Sequence, residues 1–313
     1  MTFEKRVHTF YNLHPMSFLE FLKAGDEDLI FNEILNHPIT ESQSEVIHEK
    51  IITLLREYLA IGGMPEVVGN WFKKQDPLLC SKLQHNILNA YRQDFNKYAN
   101  THQIKYVELI FEESSKQLGK KFNFSELSSD YRKRELMPAL DLLAKAGVVQ
   151  RVYQSNGQGI PIGATANPDK FKVALLDVGL TQALLGLNLS DWLLNDRSVF
   201  VNKGAIVEAF IGQELLVYAH PYSDISLYYW QRDVKGSEAE LDYLVQFDAN
   251  IIPIKVKSDK GKHLKSMHSF LKSHPNTPFG IRLSLHNYSI HENIYSYPLY
   301  AVAPAVKWHP DLP

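Results

Sequence analysis

Apolar residues recur at helical spacing through most of the first hundred positions of this chain. In VIHEKIITLLREYLAI, Ile47, Ile51, Leu54, Leu55 and Leu59 share one face, and Gly62-Gly63 ends the run. Pro65 suits the start of the next helix, EVVGNWFKK, and LCSKLQHNILNAYRQDFNKYA repeats the amphipathic pattern. Upstream, RVHTFYNL alternates apolar and polar residues as a short strand does, until His14-Pro15 stops it. Ser17 then caps the helix SFLEFLKA, with Glu20 three residues on completing a capping box.

The pattern changes near residue 104. IKYVELIFEESSKQLG predicts a helix closing at Gly119, FSELSS a short helical piece, and YRKRELMPALDLLAKAG a third helix interrupted by Pro138 and ended by Gly147. A strand, VVQRVYQ, follows, then the turn SNGQG and a second extended run, IPIGATA. Three helices and a β-ribbon are the winged-helix plan. FKVALLDVGLTQALLG predicts a buried strand and a helix. After the linker-like LNLSDWLLNDRSVFVNK come a helix (204–219), three strands (227–231, 239–247, 251–257), a helix (262–273) and a strand (279–285). That is the core order of the restriction-endonuclease-like α/β fold. The expected architecture is therefore multidomain α/β, with boundaries at 1–103 (helical), 104–190 (winged-helix-like) and 191–313 (endonuclease-like).

Composition narrows the classes. A length of 313 residues favours more than one domain, and 45% hydrophobic with 22% charged residues is ordinary for a globular protein. A net charge of −2 means that any attraction to nucleic acid must come from a local patch. The one cysteine, Cys80, excludes an internal disulfide framework and fits a reducing cytosol. No apolar leader or membrane-length run is read, so the expected location is cytoplasmic.

The strands carry the candidate chemistry. Glu240 and Asp242 lie two apart on one strand, so both project from one face; Lys255 and Lys257 do the same on the next. Alternating charges also describe the solvated face of an edge strand. Here, though, a very short turn joins the two strands, and the upstream helix KGAIVEAFIGQELLVYA offers Glu208. An acidic helix residue, an acidic strand residue and an acid-x-lysine strand form the metal site of endonuclease-like folds. The expected catalytic set is Glu208, Asp242 and Lys257, with Glu208 and Asp242 as metal ligands, and with Lys255 standing where the acid of the last pair belongs.

Charge arithmetic makes Lys255 decisive. Phosphodiester cleavage of this kind uses Mg²⁺ or Mn²⁺ on hard oxygen ligands. Three carboxylates and a lysine sum to about −2, which a divalent ion balances, whereas Glu208, Asp242, Lys255 and Lys257 sum to zero. At ~5 Å and an effective dielectric of ~20 a unit pair is worth roughly 3 kcal/mol, so a two-unit swing against a divalent ion costs at most about 13 kcal/mol. Even a third of that removes most metal affinity. Lys255 is then expected to take the cation's place beside Glu208 or Asp242. The alternative is a live nuclease in which Glu240 or Glu238 supplies a migrated carboxylate.

Lys121, Arg132, Lys133 and Arg134 in the winged-helix segment, and Lys260, Lys262 and Lys265 after the lysine pair, are the candidate phosphate contacts. Both stretches also read as solvated helix starts, and winged helices mediate protein contacts too. Tyr228, Tyr229 and Trp230 are read as packing on the sheet rather than stacking on bases. No G-x-x-x-x-G-K-[ST], no Cys/His zinc spacing and no G-x-S-x-G elbow occurs.

The stretches HPMSFLEFL, YLAIGGMPEVV, NILNAYRQDFNKYA, ALDLLAKAGVVQRVY, FKVALLDVGL, KGAIVEAFIGQEL, AELDYLVQ and IIPIKVKS together resemble prokaryotic AAA-type ATPases that carry the C-terminal domain DUF4143. The resemblance implies that residues 1–103 comprise the end of an ATPase domain and a lid-like region, without the Walker portion. It implies ATP only by association, and a truncated or degenerate member. The family pattern reads an acid at position 255. The leading expectation is a non-catalytic nucleic-acid- or protein-binding module without a cofactor of its own. Its expected partners are DNA, another protein or a separate ATPase domain, but no membrane; a pure protein-interaction module is the further alternative.

Overall fold

The computed structural model describes residues 12–128, 130–190, 204–220, 225–232, 239–247, 249–257 and 264–306. Five helices lead the chain: α1 (Phe18–Ala24), α2 (Asp28–Asn36), α3 (Glu45–Ile61), α4 (Pro65–Lys74) and α5 (Pro77–Tyr98). Ser17 and Glu20 form the capping box of α1, with the Glu20 amide donating to Ser17 Oγ at 3.2 Å and the Ser17 amide to Glu20 Oε2 at 2.7 Å. The expected strand RVHTFYNL lies almost wholly outside the described residues.

Next come α6 (Ile104–Ser114), α7 (Lys133–Lys145), the strands β1 (Val149–Ser155) and β2 (Ala166–Leu175), and α8 (Val178–Leu184). Two expectations are corrected here. Pro138 does not interrupt α7: the helix runs unbroken through it, losing one backbone donor on a segment whose Leu136, Ala139, Leu140 and Leu143 are buried. The partner of β1 is not IPIGATA, most of which (Ile162–Thr165) forms a 3-10 turn, but the strand ending in FKVAL. Burial of Phe171, Val173 and Leu175 gives that strand the apolar face the shorter run lacks.

The last third contains α9 (Gly204–Val217), β3 (Leu227–Gln231), β4 (Glu240–Phe247), β5 (Asn250–Lys257), α10 (Lys265–Ser273), β6 (Gly280–Ser284), β7 (Ser289–His291), β8 (Ile294–Pro298) and a closing turn of helix, α11 (Val302–Ala305). The mixed α/β architecture rests on one eight-stranded sheet in the order β2-β1-β3-β4-β5-β6-β8-β7. β1 pairs in parallel with β3, so the sheet runs without interruption across the boundary expected near residue 190.

α9 is apolar on nearly every side, the signature of a helix enclosed by other elements. Tyr58 of α3 meets Phe18 and Phe21 of α1 and Phe210 of α9 edge-on, at centroid distances of 5.7, 5.4 and 5.7 Å. The leading helices thus cover one side of α9 while Ile252, Ile254 and Val256 of β5 belong to the same core on its other side. α10 packs Met267 and Phe270 against Trp230, Leu241 and Leu244 in a separate cluster.

Asp177, buried, ties these parts together. Its carboxylate accepts the Gly63 amide at 2.6 Å and the Leu180 amide at 2.8 Å, joining the turn after α3 to the start of α8. Gln213 of α9 accepts the Val178 amide at 3.0 Å and donates to Tyr58 Oη at 2.8 Å. The approach is close enough to require glycine: a Cβ on Gly179 would stand 2.5 Å from the Ile61 carbonyl oxygen. Gly62 has φ +80° and would press a Cβ onto Asp177.

Candidate functional site

The pairing of β3 with β4 passes from Tyr228↔Leu244 to Trp230↔Leu241, so three residue steps on β4 match two on β3. This bulge lies at Asp242–Tyr243, and such bulges re-aim side chains. The Tyr243 hydroxyl donates to the Glu208 carbonyl at 2.7 Å, locking β4 to α9. Asp242, 4% exposed, accepts the Lys255 ammonium on Oδ1 at 2.9 Å and the Val256 amide on Oδ2 at 2.6 Å. The β4–β5 ladder reaches Tyr243↔Ile254, so the Asp242 carboxylate satisfies the β5 amide two residues further on.

Glu208 does not meet Lys255. Its partner is a residue that sequence reasoning missed: Lys172 of β2, whose side chain is 3% exposed. Lys172 Nζ stands 2.8 Å from Glu208 Oε1 and 2.6 Å from Glu240 Oε1, and 5.1 Å over the Tyr229 ring. Burial alone would lower the pKa of this ammonium, but the carboxylates of Glu208, Glu240 and Asp242 outweigh it and hold the pKa above the usual lysine value. Burial pushes the Glu208 carboxyl up, and the Asp242 charge pushes it further, against the pull of Lys172. A lysine in the middle of the apolar run FKVALL was the available signal, because a charge buried in a strand needs a partner.

Glu208, Glu240 and Asp242 bring three negative charges together; Lys172, Lys255 and Lys257 bring three positive ones. Lys257, half-buried beside Ser284 of β6, makes no ion pair among the described residues. The donor set does not fit a divalent ion: Glu208 and Glu240 each give an oxygen to Lys172, and both oxygens of Asp242 are engaged. Among the described residues no group of three or more His, Cys, Asp and Glu side chains could hold a metal ion.

Residues 203–302 match the family model of DUF4143, a domain of unknown function. Residues 52–191 match a second domain of unknown function, DUF8612. No curated protein and no solved structure matches the chain. Glu208, Glu240, Asp242 and Lys255 lie in the DUF4143 segment, and Lys172 lies in the DUF8612 segment. The charged centre is thus assembled from both matched segments, across the β2-β1-β3 part of the sheet.

The other expected contacts are spread out. Lys121 forms a bridge beside Lys172 on the edge of β2. Arg132, Lys133 and Arg134 are exposed at the start of α7, where Lys133 pairs with Asp169 at 2.7 Å. Lys265 is exposed at the first residue of α10. Glu238, Lys260 and Lys262 lie outside the described residues. Tyr229 and Trp230 are 0% and 6% exposed, packed in the sheet and unavailable as stacking platforms. Among the described residues no helix is long and apolar enough to cross a membrane.

Proposed function

We propose that this chain is a nucleic-acid-binding protein that does not cleave, built on an endonuclease-like α/β unit whose cation positions are filled by its own lysines. The order α9-β3-β4-β5-α10-β6 supports the endonuclease-like reading of residues 204–284, and α6, α7 and the β1–β2 pair support a winged-helix-like reading of residues 104–175. One observation carries the proposal: Lys172 bridges Glu208 and Glu240 while Lys255 neutralises Asp242. Two internal ammoniums deliver to these carboxylates the charge that a divalent ion would supply. They cannot polarise a phosphate oxygen as a Lewis acid or bind and acidify a water. What remains is a rigid, charge-balanced scaffold beside basic surface. The test is incubation of the purified protein with DNA and RNA in Mg²⁺ and in Mn²⁺. The expected result is a retained, salt-sensitive complex without strand scission, and scission abolished by Asp242→Ala would overturn the reading.

A further inference from the structure

A cleft of about 710 Å³ opens beside the charged centre, between α10, the C-terminal ends of β1 and β3, and the start of β2. Its position follows from the fold. Lys170, in its wall, stands two residues from Lys172 on β2, and Gln231, also in its wall, pairs directly with Glu240. α10 is held at the same place by the Glu240 amide, which donates to Ser266 Oγ at 3.2 Å, and then runs along the cleft with Ser269, Lys272 and Ser273.

The lining has a distinct chemistry. Lys170, Arg232 and Lys272 bring three positive charges, and among the described residues none that lines the cleft is acidic. Arg232 and Lys272 are exposed and make no ion pair among the described residues. The remaining surface is largely amide and hydroxyl, which suits a hydrated, hydrogen-bonding ligand rather than an apolar one.

We infer that this cleft binds a single nucleic-acid strand, its phosphates on Arg232 and Lys272 and its sugars and bases against the amide and hydroxyl side chains of the lining. The inference rests on the nucleic-acid reading above and names the surface that carries it. A phosphodiester strand suits this lining, because each nucleotide offers an anion together with hydrogen-bonding sugar and base groups. A duplex is disfavoured, because its base edges and sugars are not free to enter a cleft of nucleotide dimensions. None of these residues belongs to the basic stretches that the sequence singles out.

Fluorescence anisotropy with labelled single-stranded DNA and RNA oligonucleotides tests the inference on the whole chain. The double substitution R232Q/K272Q changes two exposed side chains, so circular dichroism should report an intact fold. Each lost phosphate contact on a single strand or duplex removes about 0.7–0.9 from the salt slope and, in ~0.1 M salt, about 5- to 8-fold in affinity. The double variant should therefore bind about 25- to 60-fold more weakly, with a shallower slope. Comparison of DNA with RNA identifies the sugar. An unchanged affinity and slope in R232Q/K272Q, with wild type binding well, would overturn the cleft assignment while leaving the nucleic-acid reading intact. Failure of the wild type to bind any strand would overturn both. Competition by duplex stronger than by single strand, or by a mononucleotide or inorganic phosphate as effective as the strand, would reject a single strand as the ligand.

Discussion

Lys172 and Glu208 are 36 residues apart, on a strand and a helix from different matched segments, and meet at 2.8 Å. Because Lys172 also holds Glu240 at 2.6 Å, a single buried ammonium fixes α9 and β4 against β2. Its consequences can be measured separately from any ligand.

Lys172→Met should destabilise the protein by about 3 kcal/mol at pH 8, since removing one partner leaves two carboxylates facing each other in a buried place. The loss is carried by the charged carboxylates, so it should shrink as pH falls toward their ordinary range and protonation relieves them. Urea titrations of wild type and variant at pH 5 and pH 8 read both quantities. An equal loss at the two pH values would show that Lys172 acts through packing alone.

Glu214 gives the stability profile a second sign. Buried in α9, it accepts the Phe18 amide at 2.8 Å and the Tyr218 hydroxyl at 2.7 Å, and burial pushes its carboxyl up to about 8. A native-state pKa above the unfolded value near 4.5 means that the folded protein keeps a proton which the unfolded chain has released. Stability from this group therefore falls as pH rises from about 4.5 to about 8, by up to ~1.4 kcal/mol per pH unit. Asp177, pushed by burial to about 6, adds the same sign in the lower part of that window. Glu214→Gln should flatten the profile between pH 6 and 8; an unaltered slope would assign the dependence elsewhere.

Gly179→Ala should cost about 1–3 kcal/mol, because its Cβ meets the Ile61 carbonyl oxygen and the Gly62 backbone rather than a side chain that can move. Gly186→Ala is an instructive contrast, with φ +81° but open space around the added carbon, so its cost is backbone strain alone. Thermal unfolding of the two variants separates crowding from strain.

Much of the architecture was legible because it is local. The capping box at Ser17 and Glu20, the glycine stop after Ile61, and the run from α9 to β6 all follow from periodicity and caps. The misreadings were tertiary. IPIGATA has the look of a strand, yet FKVAL wins the pairing with β1 because it buries Phe171 and Val173. Pro138 breaks a helix in isolation but not one held by a buried apolar face. At the centre, the proximity of Asp242 and Lys255 could be read from two adjacent strands. The Asp242–Tyr243 bulge could not, because it depends on the register of β3, nor could the partners of Lys172, which arrives from a strand 36 residues before Glu208. The cleft escaped for the same reason: Lys170, Arg232 and Lys272 are single charges until the sheet and α10 bring them to one wall.

The substitution of metal by lysine is tested most directly by calorimetric titration of Mn²⁺ into wild type, Lys255→Glu and the double variant K172Q/K255E. Wild type should bind no Mn²⁺ at this centre. Lys255→Glu alone should gain little, because Lys172 still holds Glu208 and Glu240. The double variant should bind one equivalent at least about 30-fold more tightly than Lys255→Glu, a third of the ceiling for removing one unit charge beside a divalent ion. Tight binding of one Mn²⁺ by the wild type, lost in Asp242→Ala, would contradict the account.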